Sequence, residues 1–267
     1  MSFGAVADDY DRLRPGPPSD AVDWLLPDRR GVVVDLAAGT GLLTRALAGK
    51  AGHLIAIEPD DRMRSVLQAR SGDVEVVSGR GEAIPLPDES ADAVFVSSAW
   101  HWMDPDLVVP EISRVLRDGG RFGVIWTGRD PSIEWLHADE WFAEALAEHP
   151  GRRAGGRAVT DGRVIAGDGE PAIEVITEHR RVRLPDPAQF TNIETQLFRF
   201  TRYMPVADIV GMLATYSRVT TARPELREIG RGRAAAALAE QFPGAAELPV
   251  PMRSRCWRAD RVSRTGT

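Results

Sequence analysis

With 267 residues, 43% of them hydrophobic and 27% charged, the chain has the make-up of a globular protein with a sizeable core, which excludes a disordered or fibrous one. Its 33 basic residues against 39 acidic ones leave a net charge of −6, so no whole-surface attraction to a phosphate backbone is expected. The single cysteine, Cys256, excludes an intrachain disulfide and a thiolate-rich metal centre, and reads as a small buried apolar residue.

No stretch approaches the ~20 apolar residues of a membrane helix, and Met1-Ser2-Phe3-Gly4 does not open a secretory leader. The expected location is the cytoplasm. From Gly31 to Thr127, short β-branched runs alternate with helical patterns, the signature of βαβ units around a parallel sheet. Val32-Val33-Val34 ends at Asp35, and Gly39 and Gly41 then open a helix with Leu43, Ala46 and Leu47 on one face. His53 to Ile57 is a second strand. Asp60 caps a helix whose apolar positions are Met63, Val66 and Leu67, and Asp73 to Val77 is a third strand. A loop rich in Pro and Gly, Gly79 to Ser90, leads into the strand Ala91 to Ser97. Val108, Ile112, Val115 and Leu116 recur at helical spacing, in a helix that Pro110 kinks or whose start it restricts. Asp118-Gly119-Gly120 then reads as a turn, and Arg121 to Thr127 as a fifth strand.

Beyond Gly128 the alternation stops. An aromatic helix with Trp135, Trp141 and Phe142, followed by a Gly- and Arg-rich segment, reads as a cap over the sheet edge. Ile173 to Leu184 is expected to be an extended strand, Ala207 to Tyr216 and Pro224 to Gln241 helices, and Val250 to Ala259 the last strand. The expected divisions are 1–30, a Rossmann-like core over 31–128, a cap over 129–249 with an additional strand and helices, and a last core strand with tail over 250–267.

The chemistry concentrates in Val34-Asp35-Leu36-Ala37-Ala38-Gly39-Thr40-Gly41, a strand end and a turn of small residues where a ligand can lie against the backbone. Glu58 ends the next strand, with Pro59 after it, where an acid can accept both hydrogen bonds of a ribose diol. NAD and S-adenosyl-L-methionine (SAM) both suit such a site. The Gly-x-Gly-x-x-Gly frame that NAD requires reads Gly39, Gly41 and then Thr44, so its third glycine is missing. SAM carries an ammonium and a sulfonium and no phosphate, and Asp35 either faces such a cation or orders the loop. These features favour SAM.

Trp100-His101-Trp102 lies just past a strand's carboxyl end, where open α/β sheets place their ligands. His101 there is a general base or a structural histidine, and Trp100 and Trp102 line an apolar substrate pocket or simply pack. Arg14, before the first strand, is placed to hold a carboxylate, of SAM or of a substrate, or is a surface helix arginine. Tyr203, Tyr216 and Ser217 are weaker candidates for a pocket wall. His53, His101, His137, His149 and His179 have no ligand spacing, so no metal is expected, and no Gly-x-Ser-x-Gly elbow marks a hydrolase.

With these motifs together, the chain resembles the class I SAM-dependent methyltransferases of the small-molecule type, among them trans-aconitate and menaquinone methyltransferase-like members. The resemblance rests on Asp35 to Gly41, Ile57-Glu58-Pro59-Asp60, Ala83-Ile84-Pro85-Leu86-Pro87-Asp88, Ala99-Trp100-His101-Trp102, Glu111 to Gly120 and Tyr10-Asp11-Arg12-Leu13-Arg14-Pro15. It implies an α/β fold, a Rossmann-like seven-stranded, mostly parallel sheet with helices on both faces and an inserted helical cap. It implies that Ala37, Gly39, Thr40 and Gly41 touch the methionine part of SAM, that Glu58 holds the ribose, and that Gly81 and Glu82 border the adenine. Ser98 and Ala99 would approach the sulfonium, and the segment with Tyr10 and Arg14 would fold over the cofactor as a lid. Two positions depart from the pattern: Ala37 stands where glycine is usual, and Arg80 where Asp or Thr is frequent.

The expected reaction is methyl transfer to a small molecule, first to the oxygen of a carboxylate or hydroxyl, with N- or C-methylation as alternatives. A non-catalytic SAM-fold protein and, below it, an NAD-dependent oxidoreductase are the rival readings. A nucleic-acid substrate would call for a basic face and an Asn/Asp-Pro-Pro-aromatic motif, and neither is present. No membrane partner is expected, and the chain is expected to be a monomer or a homodimer.

Overall fold

A computed structural model describes residues 7–133, 135–148 and 181–263. Two short helices, α1 (Ala7–Leu13) and α2 (Ser19–Leu25), precede the alternating region. That region runs β1 (Val32–Leu36), α3 (Leu42–Leu47), β2 (His53–Ile57), α4 (Asp61–Arg70), β3 (Glu75–Val77), β4 (Ala91–Ser97), α5 (Pro105–Val115) and β5 (Leu116–Arg129). After it come α6 (Ala138–Trp141), α7 (Ala143–Glu148), β6 (Phe190–Pro205), α8 (Val206–Ala214), α9 (Ser217–Thr220), α10 (Pro224–Gln241) and β7 (Glu247–Arg261). None of the described helices is long and apolar enough to cross a membrane.

The sheet is ordered β3-β2-β1-β4-β5-β7-β6, and the pairings from β3 through to β5 are parallel. β7 runs antiparallel to β5, because Arg121 meets Asp260 while Thr127, further along, meets Ser254. β6 is antiparallel to β7 in turn, with Asn192 on Asp260 and Glu194 on Arg258. Seven strands in a mixed, mostly parallel sheet match the expected fold. The chain steps outward from β1 to β2 and β3 and then returns to place β4 on the other side of β1. This reversal opens a crevice beyond the carboxyl ends of β1 and β4, where ligands of such sheets bind.

Successive residues of the inner strands point to opposite faces, so their β-branched runs are covered on both sides. Val33, Ala93 and Phe95 pack with Ala21, Val22 and Leu25 of α2 and with Leu43 and Leu47 of α3. Val34, Leu36, Val94 and Val96 pack with Val108, Val109, Ile112 and Val115 of α5. Each fully buried aliphatic side chain here stabilises the fold by ~1.5–3 kcal/mol.

Local chemistry sets the helix starts. Asp60 accepts hydrogen bonds from the amides of Arg62 and Met63 at the head of α4. Asp104 accepts from the Asp106 amide, with Pro105 as the first residue of α5. Pro110 falls inside α5, which continues through it to Val115.

Several boundaries differ from the sequence expectation. β3 begins at Glu75, and β7 extends past both expected ends. The Asp118-Gly119-Gly120 turn sits inside β5 as an irregularity: Ala91 pairs with Leu116 but Ala93 with Arg121, and Gly119 has φ +71°. Of the strand expected over Ile173 to Leu184, residues 173–180 lie outside the described ones, and 181–184 belong to no strand. The strand that the sequence reading missed is β6. It is an edge strand with four consecutive exposed residues, Thr191 to Glu194, and so lacks the buried apolar run that marks β1 and β4.

The chain divides into two units. One comprises the described residues of Gly16–Thr127, Ala158–Phe198 and Ser254–Thr267, and carries the packing just given. The other comprises those of Met1–Pro15, Gly128–Arg157 and Arg199–Arg253. Its core is built from Leu13, Trp141, Phe142, Met204, Ile209, Met212, Leu213, Ala234 and Leu238. A Cβ on Gly230 of α10 would collide with the Phe142 ring, which requires glycine at that crossing.

Candidate active site

The loop leaving β1 turns through three left-handed positions, Ala37 (φ +56°), Gly39 (φ +60°) and Gly41 (φ +90°). Backbone bonds fix it: Ala38 donates to the Ile57 carbonyl at the end of β2 at 3.0 Å, and Gly41 donates to the Ala38 carbonyl at 3.0 Å. The two glycines are needed for different reasons. A Cβ on Gly41 would strike Leu67 and Ser71, so α4 packs directly on that backbone. A Cβ on Gly39 would meet nothing within 4 Å, so space is open over it.

Glu58 closes this loop. Its Oε2 accepts from the Gly39 amide at 2.8 Å and its Oε1 from the Asp60 amide at 2.9 Å, and the residue is 6% exposed. Burial raises its carboxyl above the usual range against the lowering by those two amides. Each oxygen keeps a lone pair for a further donor. Pro59, next to it, is exposed, and Thr40 is buried within the loop.

Asp35 is fully buried below the loop. Its Oδ2 accepts from the Thr44 hydroxyl at 2.6 Å, so the residue in place of a third glycine ties α3 to β1. Burial, with the charge of Glu58 adding to it, pushes the Asp35 carboxyl up to about 7. At the neighbouring strand end Ser98 is also left-handed, with φ +54°, and donates to the Ile125 carbonyl at 2.8 Å. Two non-glycine residues in this sparsely populated region therefore flank the crevice, at the ends of β1 and β4.

The residues after Ser98 diverge. Ala99 opens a single helical turn, Trp100–Trp102. Trp100 is 3% exposed and packs on Phe122, ring centroids 5.4 Å apart, as part of the core. His101 is exposed and stacks on Trp102, which is 61% exposed, at 4.8 Å. Gly81 and Glu82 follow β3 in a turn held by the Ala83 amide on the Arg80 carbonyl at 3.2 Å; Gly81 is buried against Val108 and Glu82 is exposed.

Tyr10 and Arg14 belong to the other unit, where Arg14 lies over the rings of Tyr10 and Tyr216. Tyr203 is exposed, and the Ser217 side chain is outside the described ones. Cys256 is buried, and burial raises its thiol, as expected of an inert core residue.

Four buried side-chain atoms among the described residues lack a hydrogen-bond partner: Asp35 Oδ1, Thr40 Oγ1, Ser71 Oγ and Trp126 Nε1. The first two belong to the loop region and the third lies where a Gly41 Cβ would be. Trp126 follows Ile125, the residue whose carbonyl holds Ser98. An unsatisfied buried polar group costs ~1–3 kcal/mol, and Asp35 and Thr40 carry two such atoms at the end of β1 and in the loop beyond it. Trp126 was missed by the sequence reading, since an aromatic in a buried strand looks like any other core residue. SAM fits these residues: its ribose diol supplies two donors for Glu58, and the open space over Gly39 admits a ligand against the backbone.

A methyltransferase-domain family profile matches residues 34–124, the stretch from β1 through β5 that holds this loop. An uncharacterized methyltransferase of Mycobacterium tuberculosis is 33% identical over 261 residues, covering 97% of this chain and 95% of that protein. A structure assigned as a type II methyltransferase of Anaeromyxobacter dehalogenans is similar with a TM-score of 0.67 and 25% identity, over 94% of this chain and 98% of that one. A phosphoethanolamine N-methyltransferase of Haemonchus contortus, solved with S-adenosylhomocysteine, shares the fold at a TM-score of 0.51 and 14% identity, over 98% of this chain and 61% of that one. With its loop, acid and fold in agreement with these relatives, the chain belongs to the SAM-dependent methyltransferases and uses SAM as its cofactor.

Proposed function

We propose that this enzyme transfers the methyl group of SAM to a small molecule, with the oxygen of a carboxylate or hydroxyl as the favoured acceptor atom. The observation that carries the reading is the Glu58 carboxylate, held by the Gly39 and Asp60 amides beside open space over Gly39. Bound there, SAM supplies a sulfonium-activated methyl group.

The chain's own residues do the rest. Glu58 accepts the ribose hydroxyls, and Ala37, Gly39, Thr40 and Gly41 present backbone and the unpartnered Thr40 hydroxyl to the methionine part. Asp35 orders the first turn of α3, and its second oxygen is buried without a hydrogen-bond partner. Pro59, Gly81 and Glu82 border the nucleoside, while Ser98 and Ala99 form the wall at the end of β4. His101 takes the proton from a hydroxyl acceptor, and a carboxylate acceptor has none to give. Trp102 offers an exposed ring to the acceptor, Trp100 supports the turn from the core, and the indole N–H of Trp126 is a further donor. Holding acceptor and methyl aligned and dry supplies up to ~7–11 kcal/mol of the barrier.

The test is methyl transfer from isotope-labelled SAM to a panel of small carboxylic acids, phenols and aliphatic alcohols. Label in the low-molecular-weight fraction is expected. Label only in added nucleic acid or protein would contradict the proposal.

A further inference from the structure

The seven-stranded sheet ends on one side in β3, of three residues, and on the other in β6, of sixteen. A long edge strand offers its outer N–H and C=O groups to another chain unless lysine, proline, a bulge or a covering element blunts it. From Asn192 to Phe198, all in the unit that carries β1 to β4, β6 holds neither lysine nor proline, and its only charged residue is Glu194. Asn192, Ile193 and Glu194 are exposed and Thr195 to Phe198 partly so, with 52% of Ile193 open to solvent. No other described strand pairs with that outer edge.

One face of the segment is already in use. Asn192 donates to Asp260, Glu194 pairs with Arg258, and the Phe198 ring meets that of Trp24 at 6.2 Å between centroids. By alternation Ile193, Thr195 and Leu197 lie on the opposite face. Two copies of a strand paired antiparallel about a two-fold axis normal to the sheet keep their faces in common, so the axis passes through one residue, which meets itself. Centred on Thr195, the run Ile193-Glu194-Thr195-Gln196-Leu197 is its own complement: Ile193 meets Leu197, Glu194 meets Gln196 and the two threonines meet. Apolar pairs and threonine pairs directly opposite each other favour an antiparallel ladder. The Gln196 amide in turn donates to a carboxylate whose charge Arg258 already balances. Centring on Glu194 would oppose that carboxylate to itself, and centring on Gln196 would set Ile193 against Arg199.

We propose that the outer edge of β6 is a docking surface for a second copy of this chain, which adds its own β6 antiparallel with Thr195 on the two-fold axis and so joins the two sheets. None of the residues in this pairing belongs to the loop, acid or turn assigned to SAM, so it stands independently of the methyl-transfer reading.

Full-length protein is examined by sedimentation velocity at rising concentration, each variant first checked for folding by circular dichroism. The wild type is expected to pass from monomer to dimer as concentration rises. Gln196→Glu sets a second carboxylate against Glu194 at two places in the dimer and is expected to weaken it about tenfold or more, while Gln196→Lys sets an ammonium there and is expected to strengthen it. Thr195→Cys is expected to link two chains when glutathione disulfide takes up the two electrons, and Ile193→Cys is not, because only residue 195 meets itself; the native Cys256 is buried. A monomer at every concentration would overturn the proposal, as would a dimer indifferent to the charge at residue 196 or one cross-linked equally from residues 193 and 195. Slow hydrogen exchange of the outward β6 amides in a monomer would show that the chain covers this edge itself, and would overturn it too.

Discussion

The Gly39 amide donates to Glu58 Oε2 at 2.8 Å, so the acid that follows β2 is also the clasp of the loop that follows β1. The acid and the loop proposed to hold SAM are therefore one structure. Disturbing either is expected to disturb both, and the substitutions below separate backbone strain, packing and ligand contact.

Gly39→Ala and Gly41→Ala should fail in different ways. Both force alanine into a left-handed φ, at ~1–2 kcal/mol. Only at Gly41 does the new methyl also strike Leu67 and Ser71. Denaturant unfolding should show Gly41→Ala to be the less stable of the pair by ~1–3 kcal/mol, while Gly39→Ala stays folded and loses SAM affinity because its methyl fills the open space. Equal stability of the two would contradict the packing assigned to α4.

Ala37 has φ +56°, which costs a non-glycine residue free energy. Ala37→Gly is expected to leave the fold intact and raise stability by up to ~1 kcal/mol, since relief of strain outweighs the added chain entropy. A fall in the unfolding midpoint would show that the Ala37 methyl makes a contact worth more than its strain.

Burial raises the carboxyls of Asp35, to about 7, and of Glu58. Between the ordinary carboxylate range and neutrality the folded state then binds more protons than the unfolded one at these sites, so their contribution to stability falls as pH rises. It is fully present below the unfolded values and is lost as pH climbs through about 7 for Asp35. Asp35→Asn should flatten this decline in unfolding curves taken from about pH 5 to pH 8. Bound SAM favours both charged forms, so its uptake near neutrality should release protons, seen as a calorimetric heat that changes with the ionisation enthalpy of the buffer. A slope unchanged in Asp35→Asn would contradict the buried protonated acid.

His101 is exposed, in the single helical turn that follows β4. His101→Ala should leave SAM affinity unchanged and lower turnover by ~10²-fold or more with a phenol or alcohol, yet have little effect with a carboxylic acid. Equal losses with both acceptor classes would assign His101 a positional role.

The features legible in the sequence were those that burial writes into residue choice. The valines of β1, the apolar run of β4 and the spacing of Val108, Ile112 and Val115 in α5 give the inner sheet and its cover. Asp35, Gly39, Gly41 and Glu58 stand out because backbone geometry and hydrogen bonding restrict those positions. β6 was illegible because its exposed edge accepts polar residues as readily as a loop does. The Asp118-Gly119-Gly120 turn announced itself, but pairing on both sides of it absorbed the turn into β5. Trp100 and Trp102 look alike in sequence, and only the turn between them sends one to the core and the other to solvent. Trp126 and the ring clamp on Arg14 depend on contacts between residues far apart in the chain, which no local pattern encodes.

The most direct measurement is calorimetric titration of the wild-type protein and of Glu58→Ala with SAM, S-adenosylhomocysteine and NAD. The wild type should bind the first two and not the third, and Glu58→Ala, still folded by circular dichroism, should lose at least about tenfold in affinity for both, as removal of hydrogen bonds to a charged group implies. Equal SAM affinity in the two proteins would contradict the assignment of Glu58 to the ribose and, with it, the site described at the end of β1.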